Sequence, residues 1–359
     1  MKGIVLAGGE GRRLKPLTQS RPKPLLPVAG RPCVDYVLRS LINSGVRELI
    51  VTTAFMSDAL IKSIGDGLEY DASILYSFED TPAGTAGSVK RVANFIDDTF
   101  VVAMGDVLVD LDVRPLIEFH RRKKSAATIA LTEVDDPTEY GIVGMEKGGR
   151  IQRFKEKPAR EEAFTNLVNA GIYVLEPGVL DLIPDDAPFD FSKDVFPKVL
   201  AKGLPLHGMK IEGVWVDIGR PRDLIRASLE VLRREGREQR LLGVDPFGPA
   251  VVGKGLMLEA GVRLSGPVYL GSNVRIGKGA IVEGACLYEG TTVDAGATIR
   301  QSVVFEDARV GRDSEIVDSV VSRGCTIEEN AHLFGSIIGD GMTVKAHSRL
   351  EGASIAPPG

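Results

Sequence analysis

The spacing of apolar residues divides the chain into two parts with different rhythms. Up to about Leu242, short apolar runs alternate with longer stretches in which apolar residues recur at helical spacing. These patterns predict strands at residues 3–6, 48–53, 74–76 and 100–104, and helices at residues 34–43, 57–64, 87–95 and 221–240. The run at 100–104 is apolar on both faces, which is typical of a central parallel strand. Alternating strands and helices predict an α/β sheet with right-handed crossovers.

After about Gly248 the apolar residues recur with a short fixed period. Aliphatic residues fall at every sixth position and then at intervals of five, six and six, at Val252, Leu258, Leu264, Leu270, Ile276, Val282, Leu287, Val293, Ile299, Val304, Val310, Ile316, Val321, Ile327, Leu333, Ile338, Val344, Leu350 and Ile355. One aliphatic residue per six is typical of a parallel β-helix, in which three strands make one coil and the coils stack. We expect about six coils, with these side chains filling the core.

The length of the chain supports this division. With 359 residues, the chain is longer than a single core usually holds. We predict a first domain at residues 1–242 and a β-helix domain at residues 243–359. The segment "LLGVDPFGP" at residues 241–249 is the predicted linker.

Composition narrows the class of protein. Hydrophobic residues make up 43% of the chain and charged residues 26%, as in soluble globular proteins. The net charge of −5 argues against a general nucleic-acid binder. The chain enters a predicted strand directly and has no long apolar run, so we expect neither a signal peptide nor a membrane span. Its three scattered cysteines favour a reducing, cytoplasmic location over disulfides or a zinc site.

A glycine-rich segment follows the first predicted strand. It reads "LAGGEGRRLKPLTQSRPKPLLPVAG" at residues 6–30. It lacks the Gly-Lys-Ser/Thr of a P-loop and the third glycine of a dinucleotide-binding fingerprint, where Leu14 stands instead. Backbone N–H groups of a glycine turn can bind an anion, and Arg12, Arg13 and Lys23 add positive charge. The segment therefore favours a triphosphate site over a solvated basic surface.

This segment, extended to "LAGGEGRRLKPLTQSRPKPLLPVAGRP", resembles the signature loop of the sugar-1-phosphate nucleotidyltransferases. Further family motifs follow in order: "GTAG" at 84–87, "GD" at 105–106, "YGIV" at 140–143, "EKP" at 156–158, "NAGIYV" at 169–174 and "WVDIG" at 215–219. With the C-terminal repeat, the resemblance covers essentially the whole chain. It implies a Rossmann-like nucleotidyltransferase domain followed by a left-handed parallel β-helix. The implied reaction joins an NTP and a sugar 1-phosphate into an NDP-sugar and releases pyrophosphate.

The resemblance also implies a Mg²⁺ cofactor. Asp106 stands just past the central apolar strand, where open α/β sheets place ligands, and it matches the family aspartate that binds Mg²⁺. Asp217 matches the second family carboxylate. Two carboxylates together with phosphate oxygens suit this hard cation. Without the loop, Asp106 could equally be a turn residue and Asp217 a helix cap.

The nucleotide is assigned by resemblance to the signature loop and to the segment 84–87. Arg13 aligns with the family arginine on the NTP phosphates and the leaving pyrophosphate, and Lys23 with the lysine on the phosphates; the role of Arg12 stays open. The small residues of "GTAG" resemble the loop that reads the base and ribose, although this segment could also be a simple helix entry. The predicted nucleotide contacts are Leu6, Ala7, Gly8, Gly9, Gly11, Arg13, Lys23, Gly84, Thr85 and Asp106.

The sugar phosphate is assigned to three further motifs. Lys157 would hold its phosphate, and Glu156 and Asn169 would bind its hydroxyl groups, next to the family glycines Gly141 and Gly171. The residues predicted to carry catalysis are Arg13, Lys23, Asp106, Lys157 and Asp217. The run "EDTPAGTAG" is most similar to the mannose-1-phosphate guanylyltransferases, which implies GTP and mannose 1-phosphate, with glucose 1-phosphate and dTTP or UTP as the alternative.

Two other classes of function are weighed against this one. An acyltransferase β-helix would need a histidine base beside a groove, and His332 and His347 lie in different columns of the repeat. A regulatory subunit without activity would have lost part of the catalytic set, which is complete here. The last coil of the β-helix needs covering, so we expect a homo-oligomer.

Overall fold

The structure, a computed structural model, describes residues 1–185, 187–241, 244–245 and 247–357. It divides into two compact units. The first contains Met1–Glu10 and Cys33–Val216, and the second contains Gly11–Pro32 and the chain from Asp217 onwards. The predicted domain boundary at 242/243 lies outside the described residues, as does Pro246 of the predicted linker, so that boundary stays a prediction.

Six α-helices and thirteen strands are described before residue 236. The strands are β1 (Lys2–Leu6), β2 (Pro27–Val28), β3 (Arg31–Pro32), β4 (Glu48–Thr53), β5 (Ser73–Phe78), β6 (Phe100–Met104), β7 (Val107–Asp110), β8 (Ala127–Glu133), β9 (Gly141–Met145), β10 (Ile151–Glu156), β11 (Leu167–Leu175), β12 (Leu206–Lys210) and β13 (Val214–Asp217). The helices are α1 (Cys33–Asn43), α2 (Ser57–Ile64), α3 (Gly84–Arg91), α4 (Arg114–Lys123), α5 (Phe196–Ala201) and α6 (Pro221–Glu235). Across the described residues, every helix is too short or too polar to span a bilayer.

A nine-stranded sheet forms the centre of the first unit. Seven of its strands run in the order β10-β9-β11-β6-β1-β4-β5, and β8 lies between β11 and β12. Strands β6, β1, β4 and β5 are parallel, whereas β11 is antiparallel to β6. Strand β6 is central, as predicted, and its residues from Phe100 to Ala103 are fully buried. The register pairs Leu6 with Met104, so the carboxyl ends of β1 and β6 lie side by side.

Two predicted helices differ from the structure by more than one residue in their bounds. Helix α3 covers Gly84–Arg91 instead of 87–95, because its small polar first turn carries no apolar periodicity. Helix α6 ends at Glu235 instead of 240, since Gly236 leaves the helix with extended backbone. The residues that follow form a strand, β14 (Arg237–Gln239), which pairs antiparallel with the first strand of the repeat region.

The second unit is built on three sheets of short strands. The remaining strands are β15 (Phe247–Val252), β16 (Met257–Leu258), β17 (Arg263–Ser265), β18 (Val268–Leu270), β19 (Arg275–Ile276), β20 (Ile281–Glu283), β21 (Cys286–Leu287), β22 (Thr292–Val293), β23 (Thr298–Arg300), β24 (Val303–Val304), β25 (Arg309–Val310), β26 (Glu315–Val317), β27 (Val320–Val321), β28 (Thr326–Ile327), β29 (His332–Phe334), β30 (Ile337–Ile338), β31 (Thr343–Val344), β32 (Arg349–Glu351) and β33 (Ser354–Ile355). One sheet has eight strands and the other two have six each, and every third strand of the repeat belongs to the same sheet. Successive strands are parallel and pair equivalent residues, such as Ile299 with Ile316 and Ile316 with Leu333. The α/β domain and the parallel β-helix of about six coils are confirmed.

The predicted periodic residues form the core of the β-helix. Those from Leu264 to Val344 are buried in a single cluster. Val252, Leu258, Leu350 and Ile355 are only partly buried against it, and they lie in the first and last coils. The exceptions occur at the ends because a terminal coil has a neighbour on one side only.

The segment Gly11–Pro32 packs on the β-helix. Arg21 donates to both carboxylate oxygens of Glu306 at 3.1 Å, and its guanidinium lies 5.5 Å from the ring centroid of Phe305. Tyr288 donates its hydroxyl to the carbonyl of Pro27 at 3.0 Å. These contacts hold a segment from the start of the sequence against coils that lie 261 to 285 residues later.

Candidate active site

The beginning of the signature loop lies at the carboxyl end of the central sheet. Gly105 donates its N–H to the carbonyl of Leu6 at 2.9 Å, and Ala7 donates to the carbonyl of Thr52 at 2.9 Å. An added Cβ on Gly105 would lie 3.1 Å from that Leu6 oxygen, so a side chain here would crowd the ends of the two strands. The half-buried Asp106 follows directly, at the sheet edge where its ligand-binding role was predicted.

The two glycines after Ala7 have different surroundings. An added Cβ on Gly8 would contact the backbone of Ala54 at 3.5 Å, whereas one on Gly9 would meet nothing within 4 Å. The backbone at Gly9 therefore faces open space, as a phosphate-binding turn requires.

In the second unit, two cations of the signature loop face one carboxylate. The Nζ atom of Lys23 lies 3.6 Å from Oδ1 of Asp217, and Arg13 lies 4.0 Å from Oδ2. Lys23 is only 7% exposed, so its charge is buried beside Asp217. An added Cβ on Gly219 would lie 3.2 Å from both terminal nitrogens of Arg13, so this glycine leaves room for the guanidinium.

The turn that carries these cations depends on Gly11. This residue adopts a left-handed conformation with φ of 63°, and an added Cβ would lie 3.0 Å from the Cβ of Lys23. Its carbonyl accepts hydrogen bonds from the hydroxyl of Thr18 at 3.0 Å and from the N–H of Leu14 at 2.9 Å. Arg12 is exposed beside it.

The "GTAG" segment forms the first turn of α3 and is held by a distant part of the chain. The N–H groups of Ala86 and Gly87 both donate to the carbonyl of Phe189, at 2.9 and 3.1 Å. Thr85 donates its hydroxyl to Asp190 at 3.1 Å. Gly84 has φ of +74°, and an added Cβ would lie 2.5 Å from the Phe189 carbonyl oxygen. The small residues therefore allow the close approach of residues 189–190.

The predicted sugar side of the site lies where β9 and β10 pair. Gly141 is opposite Glu156, and an added Cβ on Gly141 would lie 2.7 Å from Oε2 of Glu156. That buried oxygen has no hydrogen-bond partner among the described residues. Burial raises the pKa of Glu156 above its ordinary value, and the nearby Asp190 carboxylate raises it further. Glu156 thus keeps acceptor capacity for a hydroxyl group.

Asn169 is already engaged within the protein. Its side-chain amide donates to the hydroxyl of Tyr173 at 2.9 Å and to that of Ser192 at 3.0 Å. Its Oδ1 accepts the N–H of Gly171 at 2.9 Å. Because both amide hydrogens are used, only the oxygen of Asn169 retains capacity for a ligand.

Three of the predicted motifs meet around Trp215. Its indole N–H donates to the carbonyl of Ala170 at 2.8 Å, and its ring lies 5.6 Å from that of Tyr140. The carbonyl of Tyr140 in turn accepts the N–H of Lys157 at 2.9 Å. Lys157 has φ of 43°, an uncommon conformation for a side-chain-bearing residue that is often found at functional sites.

Two acidic residues of this region were given no role by the sequence analysis. Asp190 contacts the base-loop threonine, Thr85, and raises the pKa of Glu156 on the sugar side. Glu79 is 7% exposed, and its Oε2 accepts the N–H of Ala83 at 3.2 Å, while its Oε1 has no partner among the described residues. Glu79 opens the quoted run "EDTPAGTAG", whereas nothing in the sequence near Asp190 marks it.

The geometry suits the recognition of charged and hydroxylated ligands. Lys23 and Arg13 supply positive charge for phosphates, and Glu156 supplies a spare acceptor for a hydroxyl group. Within the described residues no group of three or more His, Cys, Asp or Glu could hold a metal with protein ligands alone. A site that shares Mg²⁺ with phosphate oxygens needs only one or two carboxylates, so the carboxylates of Asp106 and of Asp217 are each suitable ligands by their chemistry.

Comparisons with known proteins agree with this chemistry. The family described as "Nucleotidyl transferase" matches residues 2–234, and the family described as "GMPPB C-terminal domain" matches residues 247–358. A UTP–glucose-1-phosphate uridylyltransferase from Synechocystis sp. is 34% identical over 322 residues, which cover 80% of this chain and 83% of the relative. A mannose-1-phosphate guanylyltransferase from Mycobacterium tuberculosis is 35% identical over 294 residues, which cover 81% of each chain.

A solved structure supports the same assignment. A Bacillus anthracis protein described as a glucose-1-phosphate thymidylyltransferase, in complex with a sucrose, superposes with a TM-score of 0.59 at 29% identity. The match covers 67% of this chain and 98% of that one. The chain belongs to the nucleotidyl transferase family and is a sugar-1-phosphate nucleotidyltransferase.

Proposed function

We propose that the enzyme is a mannose-1-phosphate guanylyltransferase, which converts GTP and mannose 1-phosphate into GDP-mannose and pyrophosphate. The observation that carries the choice of GTP is the buried Glu79, whose Oε1 lacks a partner among the described residues beside the first turn of α3. The relative from Mycobacterium tuberculosis that is named for this activity supports the proposal.

The chemistry of the base favours guanine at such a carboxylate. Guanine presents adjacent N–H donors on its ring nitrogen and amino group, and an ionised carboxylate can only accept hydrogen bonds. Uracil and thymine have a single ring N–H that is flanked by two carbonyl oxygens. A carboxylate that accepts this N–H is repelled by both oxygens. A buried acceptor left unpaired penalises the wrong base more strongly than a missing apolar contact does.

The reaction is assigned to residues that align two anionic substrates. A phosphate oxygen of the sugar 1-phosphate attacks the α-phosphorus of GTP, and pyrophosphate leaves. In this proposal Arg13 and Lys23 bind the phosphates and the leaving pyrophosphate, and Lys157 binds the sugar phosphate. Asp106 and Asp217 would hold Mg²⁺, which would supply positive charge to the phosphate oxygens when bound. The residues act by alignment and charge neutralisation, without a covalent nucleophile.

The first test is pyrophosphate release across a grid of substrates. GTP, dTTP, UTP, ATP and CTP are each paired with the 1-phosphates of mannose, glucose and N-acetylglucosamine. The proposal predicts one dominant rate, for GTP with mannose 1-phosphate. A maximum for UTP or dTTP with glucose 1-phosphate would overturn the substrate assignment and leave the family unchanged. The Synechocystis relative, which is named for UTP and glucose 1-phosphate, makes that pair the second candidate.

A variant tests the role of Glu79 directly. Glu79→Gln should lower kcat/KM for GTP by about 10²-fold, while kcat/KM for UTP should stay within about threefold. The exposed Glu69→Gln gives the matched control with the same change of charge. Equal losses for both nucleotides would show that Glu79 does not read the base.

The proposal also includes self-association in the cytoplasm. Among the described residues, strands β31, β32 and β33 are the last members of their sheets, and Leu350 in β32 and Ile355 in β33 are only partly buried. A second copy would cover this terminal coil. Light scattering after gel filtration should give a mass at least twice 38.5 kDa; a mass of one chain would contradict the proposal.

A further inference from the structure

A cavity of about 950 Å³ lies in the second unit, between α6 and one corner of the β-helix. Its volume is within the range of ligand pockets, roughly 300–1,000 Å³. The arginines that line it are Arg13, Arg220, Arg222, Arg226 and Arg233. Among the described residues, Asp318 is the single acidic residue of the lining.

The arginines of α6 form a stripe along one face of the helix. Arg222, Arg226 and Arg233 are separated by four and seven residues, which places them on the same side. Ile225 and Leu229 lie between them and are 7% and 3% exposed. The helix therefore lines the cavity with positively charged guanidinium groups and, between them, with apolar side chains.

The opposite wall is a column of equivalent corner positions. Gln301, Asp318 and Gly335 lie 17 residues apart, and each has a positive φ. Ser336 and Ile337 complete this wall. The column presents amide, carboxylate and apolar groups opposite the arginine stripe.

The ion pairs of the stripe are weak enough to be exchanged. Arg226 lies 3.7 Å from Asp223, and Arg233 lies 3.4 Å from Glu230, with both guanidinium groups more than half exposed. Exposed pairs of this kind contribute little to stability. A phosphate oxygen offers arginine stronger, charge-assisted hydrogen bonds, and arginine can bind it with two N–H groups at once.

We infer that this cavity binds a phosphate monoester carrying an apolar or aromatic group, such as a nucleoside monophosphate. The phosphate lies against the arginine stripe, and the apolar group lies against Ile225, Leu229 and Ile337. This site goes beyond the proposed function, because the transfer reaction does not require it.

Arg13 gives the cavity a route to the catalytic residues. It lines the cavity and also lies 4.0 Å from Asp217. A phosphate bound in the cavity would draw Arg13 away from Asp217, so turnover should fall when the cavity is filled. This consequence rests on the proposed catalytic role of Arg13, whereas binding does not.

The test is calorimetric titration of the full chain with AMP, ribose 5-phosphate and inorganic phosphate. We expect AMP to bind at least tenfold more tightly than ribose 5-phosphate, because only AMP carries an aromatic group. The double variant Arg226→Gln with Arg233→Gln should weaken AMP binding at least tenfold. The exposed pair Arg275→Gln with Arg312→Gln removes the same charge elsewhere and should leave the affinity unchanged.

A third variant separates the cavity from the catalytic phosphates. Lys23→Met alters the proposed triphosphate site, and AMP binding should survive it. Loss of binding in Lys23→Met would place AMP in the catalytic site and overturn the inference. Equal affinity for AMP and ribose 5-phosphate, or unchanged binding in the double variant at matched thermal stability, would also overturn it. If AMP binds as expected but leaves initial rates unchanged, the coupling through Arg13 is wrong and the site itself stands.

Discussion

The polar side chains of the two candidate-site regions are held by different interactions, by hydrogen bonds in the first unit and by ion pairs in the second. In the first unit, Asn169, Thr85 and Asp190 belong to a network of hydrogen bonds with neighbouring hydroxyl and amide groups. In the second unit, Lys23 and Arg13 face the carboxylate of Asp217 at longer range, with charge as the main attraction. Directed hydrogen bonds suit neutral hydroxyl groups and base edges, whereas clustered charges suit phosphates. The proposed base and hydroxyl contacts of the first unit, and the proposed triphosphate contacts of Lys23 and Arg13 in the second, follow this difference.

The largest effect is expected when the negative charge of Asp106 is removed at the carboxyl end of the central strand β6. Asp106→Asn should lower kcat by on the order of 10³-fold, since a neutral amide binds Mg²⁺ poorly. Thermal stability should stay unchanged, because the side chain is half-buried and similar in volume. The measurement is pyrophosphate release at several Mg²⁺ concentrations. The exposed Asp135→Asn is the control; equal activity in both variants would refute the metal assignment.

Removal of the buried cation of the second unit should have the next largest effect. Lys23→Met keeps the apolar stem and should lower kcat/KM for the NTP by about 10²-fold, since the phosphates lose a fixed positive charge. The KM for sugar 1-phosphate should change little. Lys254→Met, on the exposed surface, should match the unaltered enzyme. A larger effect on the sugar phosphate than on the NTP would reassign Lys23.

A change in the hydrogen-bond network of the first unit should act on the sugar alone. Glu156→Gln should raise KM for sugar 1-phosphate by about tenfold, because the amide offers a weaker acceptor to a hydroxyl group than a carboxylate does. KM for the NTP should stay within about twofold. Steady-state kinetics with each substrate varied in turn gives the answer, with Glu161→Gln as the exposed control. If the KM values for sugar 1-phosphate and for the NTP rise together, Glu156 does not act on the sugar alone.

The titration of Glu156 sharpens the same contrast. Its pKa is raised above the ordinary 4.5 by burial and by Asp190, so it becomes protonated at a higher pH than an exposed glutamate. The ionised form is the better acceptor for a sugar hydroxyl, so kcat/KM for sugar 1-phosphate should fall on the acid side starting above pH 4.5. Glu156→Gln should lack this acid limb. If the unaltered enzyme and Glu156→Gln show the same dependence of kcat/KM on pH, the loss of activity at low pH belongs to another titrating group.

The smallest expected effect comes from the anchor of the signature loop on the β-helix. Arg21→Ala should lower kcat by about fivefold, because the loop that carries Lys23 loses its contact with Glu306. Glu306→Ala should have a similar effect, and the double variant should be no worse than either single one. Additive losses would mean that the two residues act independently.

The fold was largely predictable, because it follows from periodicity. Strands 48–53 and 100–104 and helix 57–64 have the bounds predicted from apolar spacing. The β-helix core follows from a period of six, since one aliphatic side chain in each strand points inward. The first turn of α3 was missed because Gly84 and Thr85 are held by contacts with residues 189–190, which no local pattern reveals.

The candidate site was predictable only in part, for a physical reason. Motif order identified Lys23 and Asp217, and the structure brings these two side chains to 3.6 Å. Asp190 and Glu79 could not be assigned from the sequence, since their importance lies in the partners they have or lack. Oε1 of Glu79 has no hydrogen-bond partner among the described residues, and this property of the folded protein is not shown by the sequence alone.

Because the signature loop is attached to the β-helix, the first domain alone would lack contacts that hold this loop. A protein shortened to residues 1–242 would keep every motif of the transfer reaction. It would lose Tyr288 and Glu306, so the carbonyl of Pro27 and the guanidinium of Arg21 would be left to water. The loop would then sample many conformations before each turnover. The C-terminal coils therefore hold the signature loop in place, so a substitution in those coils can change the position of the segment that carries Lys23 without contacting it.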